Sequence, residues 1–110
     1  MSERTAQATP AVVVLPTEID VTNSQQVHDQ LVAALAAGGD VVIADMTGTS
    51  FCDSSGVHAL VSAHEAAVAR GVRLRLAVPP GGSVPRVLQL IGVGRIVPIY
   101  ASVAEAIEAG

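Results

Sequence analysis

The chain has 110 residues, 50% hydrophobic and 15% charged, with a formal net charge of −4 at neutral pH. That size is one domain with ample apolar side chains for a packed core. With no lysine and only 2% aromatic residues there is neither a basic stripe for phosphates nor an aromatic platform for bases, which argues against a nucleic-acid partner.

Residues 1–9 are polar and without periodicity, and are expected to form a flexible arm or a short edge strand. The domain proper is expected to span residues 10–110. Ala11-Val12-Val13-Val14-Leu15 is a β-branched run bounded by Pro10 and Pro16, read as a strand buried on both faces or lying at an edge. Glu18-Ile19-Asp20 leads out of it, and Thr22 or Asn23 is placed to cap the next helix. Val27, Leu31 and Leu35 recur every four residues with polar residues between, which predicts an amphipathic helix over 24–37 ended by Gly38-Gly39. A strand follows over 41–46, and then a loop over 47–53 in which Phe51, the chain's single Phe, is expected to anchor the core.

Residues 54–70 read as a second helix, with Val57, Leu60, Val61, His64 and Val68 on its apolar side and Gly71 as its stop. Alternation over 72–78 predicts a strand with Arg73 and Arg75 on a wet face. Pro79-Pro80-Gly81-Gly82 is a turn, and Ser83 is expected to cap a short helix that buries Val87, Leu88 and Ile91 and stops at Gly92. Residues 96–100 make a last strand, demoted to an edge by Pro98. Ser102 caps a closing helix over 103–109 that buries Ala106 and Ile107. The order β-α-β-α-β-α-β-α predicts an α/β domain: a mostly parallel sheet of four to five strands flanked by about four helices.

The stretch Phe51-Cys52-Asp53-Ser54-Ser55-Gly56 concentrates polar chemistry where a strand hands over to a helix. A helix start exposes unpaired N–H groups and partial positive charge. A serine nucleophile is disfavoured, because neither Ser54 nor Ser55 is flanked by the two glycines of a nucleophile elbow. A metal site is disfavoured as well, since His28, His58 and His64 lack convergent ligand spacing. His64 reads as a satisfied core histidine and His58 as a surface residue of the helix's first turn. Cys52, the single cysteine, reads as a buried inert thiol, and with no disulfide available a reducing cytoplasm fits. No cofactor motif is present. No 18-residue apolar run is present either, and residues 1–7 do not read as a signal peptide.

Two readings of the stretch stay open on the residues alone. In one, Asp53 and Ser54 are caps and Ser55 is idle. In the other, Ser55 accepts a phosphate, which adds about −1.5 to −2 charge beside Asp53 and Asp20 and breaks a complementary interface.

The run Asp45-Met46-Thr47-Gly48-Thr49-Ser50-Phe51-Cys52-Asp53-Ser54-Ser55-Gly56 resembles the signature of bacterial anti-sigma-factor antagonists of the STAS domain family. Glu18-Ile19-Asp20, Arg70-Gly71 and Val87-Leu88-Gln89-Leu90-Ile91-Gly92-Val93 extend the resemblance over about residues 11–108. It implies a non-enzymatic cytoplasmic protein of transcription regulation in stress responses, working by partner switching. Unphosphorylated, it would bind an anti-sigma factor that is also a serine kinase, freeing a sigma factor. Phosphorylation at Ser55 would release it, and a metal-dependent serine phosphatase would reset it. Asp20, Asp53, Ser54, Gly56 and His58 would support the phosphosite or touch the partner. Departures from the family pattern are Thr17 in place of a glycine, polar residues 2–8 where a strand begins, and His58 where a small residue is common.

An alternative is an accessory subunit of a transport or lipid-trafficking complex, since STAS-like domains also occur there. A third is a nucleotide-sensing domain. The start at Met1 and the end at Gly110 favour a free-standing protein, expected to be a monomer or weak dimer.

Overall fold

A computed structural model describes residues 10–37 and 39–109; the arm at 1–9, Gly38 of the first helix stop and Gly110 lie outside the described residues. In chain order the elements are β1 (Ala11–Val14), β2 (Glu18–Ile19), α1 (Ser24–Ala36), β3 (Val41–Asp45), β4 (Phe51–Cys52), α2 (Ser54–Arg70), β5 (Arg73–Ala77), α3 (Ser83–Ile91), a 3₁₀ turn (Val93–Arg95), β6 (Ile99–Tyr100) and α4 (Val103–Glu108). The main sheet has the order β1-β3-β5-β6, and β2 pairs with β4 apart from it. All pairs are parallel, with Val12 opposite Ile43 and Ile43 opposite Arg75. The α/β architecture with a four-stranded parallel sheet and four helices is the one the alternation predicts.

Each crossover steps one strand in the same direction across the sheet. Right-handed crossovers that all step one way place their helices on one face. Accordingly Val42, Ala44, Leu74 and Leu76 share a core with Val27, Leu31 and Leu35 of α1, Leu60 and Ala63 of α2, and Val84 and Leu88 of α3. The opposite face alternates out of register with the first: Ile43 and Ala77 pack with Ala106 of α4. One short helix covers that face only in part, so Val12 and Val14 of β1 stay 41% and 71% exposed. β1 is therefore an edge strand with one open face among the described residues, not a strand buried on both faces.

The same cover changes Arg75. Its expected wet face lies under α4, Arg75 is only 5% exposed, and its Nη1 donates to the Ala106 carbonyl at 2.7 Å. The guanidinium carbon lies 6.0 Å from the Tyr100 ring centroid. A cationic donor on a helix-end carbonyl ties the last element to the sheet. Arg75→Ala is expected to lose about 2 kcal/mol of stability by urea denaturation, the scale of a charged hydrogen bond removed from a buried site.

Four expected core positions face outward: Val68, Ile91 and Ile107 are exposed, and so is Phe51 at 47%. On α2 the buried side is instead Val57 and Leu60 with Ala59, Ala63 and Ala67, because small residues let the helix sit close against its neighbours. Ser83 is the first residue of α3 rather than its cap; the cap position is Gly82, and the Ser83 hydroxyl donates to the Ser50 carbonyl at 3.1 Å. Asn23 precedes α1 without a side-chain cap bond.

Candidate functional site

The β2–β4 pair is two residues long on each strand, below the length at which periodicity can announce a strand, and it builds the site. The Thr17 carbonyl accepts from the Ser50 N–H at 2.7 Å and the Phe51 N–H at 3.3 Å, and the Ile19 carbonyl accepts from the Asp53 N–H at 3.1 Å. The Thr49 hydroxyl, buried in the loop, donates to the Pro16 carbonyl at 2.8 Å. These bonds turn the 47–53 loop into a fixed ledge. Thr17 serves through its backbone and no non-glycine residue has positive φ among the described residues, so the departure from glycine carries no backbone strain.

Asp53 caps α2. Its Oδ1 accepts the Ser55 N–H at 2.9 Å, the Gly56 N–H at 3.1 Å and the Ser55 hydroxyl at 2.6 Å. The Ser55 hydroxyl bond above all, then the Gly56 N–H, holds the Asp53 carboxyl below the usual carboxylate range. Ser54 is the exposed first residue of the helix and Ser55 is half-buried. The two hydroxyls thus differ in their direction off the first turn: Ser55 is oriented by the capping carboxylate.

Gly56 is buried and works from beneath the site. A Cβ there would lie 2.6 Å from Cys52 Sγ and 2.8 Å from Ile19 Cγ2, so the start of α2 rests directly on β2 and β4. Cys52 is buried, and burial first, then the Asp53 charge, pushes its thiol up to about 11. It stays a protonated thiol at neutral pH.

The Asp53–Ser55 turn is one of three of its kind. Asp45 Oδ1 accepts the Thr47 N–H at 2.9 Å and the Thr47 hydroxyl at 2.6 Å. Asp20 Oδ1 accepts the Thr22 N–H at 2.9 Å and also its hydroxyl. Each Asp-x-Ser/Thr triplet stands at or just beyond the carboxyl end of a parallel strand, and such side chains close local turns on their own backbone. That spacing is readable in the sequence and is the signal that marks all three strand ends. Asn23 locks the Asp20 turn, accepting from the Asp20 N–H at 3.0 Å and donating to the Glu18 carbonyl at 2.8 Å. Asp20 and Asp53 each follow the Ile19–Cys52 pair of the parallel register, so the fold brings these two predicted residues together.

Around this ledge stand exposed apolar side chains: Phe51 on β4, expected in the core, and Val21, 77% exposed, immediately after Asp20, which carried no expectation. Beside Ser55, α1 and α2 run parallel and leave a cleft of about 120 Å³ lined by Ser24, Gln25, His28, Ser55, His58, Ala59 and Ser62. His58 is exposed on its rim, as expected. His64 is remote from the site; its Nδ1 is buried without a hydrogen-bond partner, so it is not the satisfied core histidine the pattern suggested. Among the described residues, no group of three or more His, Cys, Asp or Glu is placed to hold a metal ion, and no helix is long and apolar enough to cross a membrane.

The STAS domain family model matches residues 3–106. No curated protein matches the chain in sequence. Among solved structures, the anti-sigma factor antagonist SpoIIAA in its unphosphorylated form is 26% identical with a TM-score of 0.73, covering 96% of this chain and 90% of its own. A candidate anti-sigma factor antagonist from Thermotoga maritima is 25% identical at a TM-score of 0.75, covering 88% of this chain and 85% of its own. A sulfate transporter family protein from Wolinella succinogenes is 19% identical at a TM-score of 0.69, covering 94% of this chain and 89% of its own.

Proposed function

The chain belongs to the STAS domain family, and from that premise we propose that it is an anti-sigma-factor antagonist switched by phosphorylation at Ser55. Its partner is an anti-sigma factor that is also an ATP-dependent serine kinase. Binding of the unphosphorylated chain frees a sigma factor, and a metal-dependent serine phosphatase restores the binding form. The observation that carries this reading is the 2.6 Å bond from the Ser55 hydroxyl to Asp53. It presents one of two adjacent serines in a fixed rotamer on a ledge rimmed by apolar side chains. The likeness to SpoIIAA supports the class of partner.

The chemistry is supplied in trans. The Ser55 oxygen takes the γ-phosphoryl group of ATP, ADP leaves, and the hydroxyl proton passes to a base of the kinase and on to solvent. That proton is the one now donated to Asp53, so the modified side chain cannot keep its bond. An attractive contact becomes an apposition of a carboxylate and a phosphate carrying about −1.5 to −2 charge. Incubation with the kinase partner and ATP is expected to add one phosphate, which peptide mass spectrometry places on Ser55. Labelling of Ser55→Ala at the wild-type rate would sink the assignment.

The exposed aromatic Phe51 is the candidate anchor for that partner, because aromatic side chains, Phe included, are enriched in interfaces relative to the rest of the surface. Phe51→Ala is expected to weaken partner binding at least about tenfold, the effect of 1.4 kcal/mol. Its thermal midpoint stays near wild type, since the ring is not part of the core. Calorimetric titration and a melting curve read the two effects separately.

A second reading, an accessory domain of a transport or lipid-trafficking complex, draws on the likeness to the Wolinella protein, which is one of fold. Copurification with a membrane ATPase, together with no phosphate on Ser55 in cells, would favour it.

A further inference from the structure

We propose that the cleft between α1 and α2 is a receiving site for the phosphoryl group on Ser55, held there by His58 and His28. The inference rests on Ser55 as the phosphoacceptor and adds where its phosphate goes. Ser55 is bonded on one side to Asp53 at 2.6 Å and on the other lines the cleft with Ser24, Gln25, His28, His58, Ala59 and Ser62. Once the hydroxyl proton is lost, the Asp53 side offers only a carboxylate. A step of about 120° to another staggered well carries the oxygen away from it. The cleft, about 120 Å³, is then the polar space next to the side chain.

Its lining suits a dianion. His58 follows Ser55 by one helical turn, within reach on the same face. His28 comes from the facing helix, its side chain 26% exposed and its Nδ1 3.3 Å from Asp29 Oδ1. That contact leaves Nε2 as the nitrogen for an occupant, a donor when the ring is cationic. The hydroxyls of Ser24 and Ser62 are further donors. Ser24 begins α1 and Ser54 begins α2, so the positive ends of two parallel helices bracket the mouth. The charged groups facing the phosphate are His58 from α2, His28 with Asp29 behind it from α1, Asp53 from the β4–α2 junction and Asp20 from the β2–α1 junction. The carboxylates flank the mouth, and none lines the cleft itself. The phosphorylated chain thus has an ordered state of its own.

Phosphoserine installed at position 55 during translation tests this in the full chain without any kinase, so a failure here is distinct from a failure of the kinase assignment. Phosphorus NMR titration is expected to give a second phosphate pKa about one unit below the usual value of about 6, with ring shifts in both histidines between the phosphorylated and unmodified chains. His58→Ala with His28→Ala should return the phosphate to about 6, and His58→Gln with His28 intact should recover part of the shift. An identical titration in the wild type and the double variant, with unmoved histidine signals, overturns the proposal. A histidine spectrum that changes without any change in the phosphate titration also overturns it.

Discussion

Ser55→Asp is expected to lose the anti-sigma factor by about 100-fold or more in Kd, while Ser55→Ala keeps binding close to wild type. The contrast follows from what each substitution does to Asp53. Alanine removes the 2.6 Å hydroxyl bond but leaves the two backbone N–H groups on the cap and adds no charge. Aspartate cannot donate to Asp53 and brings a second carboxylate against it, with Asp20 at the next strand end. Like charges pressed together in an interface cost several kcal/mol, and each 1.4 kcal/mol is tenfold in affinity. Phosphoserine at the same position should weaken binding further, having the larger charge. Surface binding measurements with the kinase partner rank the four side chains, and equal affinity for Ser55→Ala and Ser55→Asp would remove charge as the switch.

The largest structural effect belongs to Gly56. An alanine there must place its Cβ 2.6 Å from Cys52 Sγ and 2.8 Å from Ile19 Cγ2. Both neighbours are buried, Cys52 at 2% and Ile19 at 0% exposure, so neither can swing into solvent. The start of α2 has to lift off the β2–β4 ledge instead. In an exposed helix, glycine to alanine gains up to about 1 kcal/mol. Here overpacking of about 1–3 kcal/mol opposes that gain, and two contacts under 3.0 Å to buried side chains put it toward the upper end. Gly56→Ala is expected to lower stability in urea by up to about 2 kcal/mol, the upper end of the overpacking cost less that gain. It should also slow phosphorylation of Ser55, because the helix start carries the hydroxyl. Cys52→Ala combined with Gly56→Ala removes the sulfur but not the isoleucine contact, and should recover part of the loss. A double variant no more stable than Gly56→Ala alone would show that the sulfur is not what resists the new Cβ.

The placement of Ser55 shows how far local signals reach. Asp53 two residues before a serine, at a strand-to-helix change, is a cap pattern that the sequence carries whole, and the structure forms it with Asp53 as the cap. Choosing between Ser54 and Ser55 as the oriented hydroxyl needs the direction of each side chain off the first turn, and only one of them lies over the carboxylate. Resemblance to the family implies Ser55 as the phosphoacceptor; the structure adds the orientation of its hydroxyl.

The amino-acid sequence by itself determined the order of helices and main strands, the parallel α/β layering, the glycine stop after α2, and the Asp53 cap. All of these rest on interactions within a few residues, or on periodicities of two and 3.6, which a chain carries wherever it folds. Only the tertiary structure decided which faces were covered. Arg75 is buried because α4 happens to close over an arginine that alternation places in water. Phe51 is exposed because β4 turns that face of the ledge outward, although a lone Phe in a loop reads as an anchor. Val68, Ile91 and Ile107 lie outside because alanines, whose small side chains permit close approach, took much of the buried face of α2, and because α3 and α4 each cover only a narrow strip. The pairing of β2 with β4 and the cleft beside Ser55 join residues about 30 positions apart. Burial and proximity at that range are properties of packed neighbours, and no local pattern of side chains encodes them.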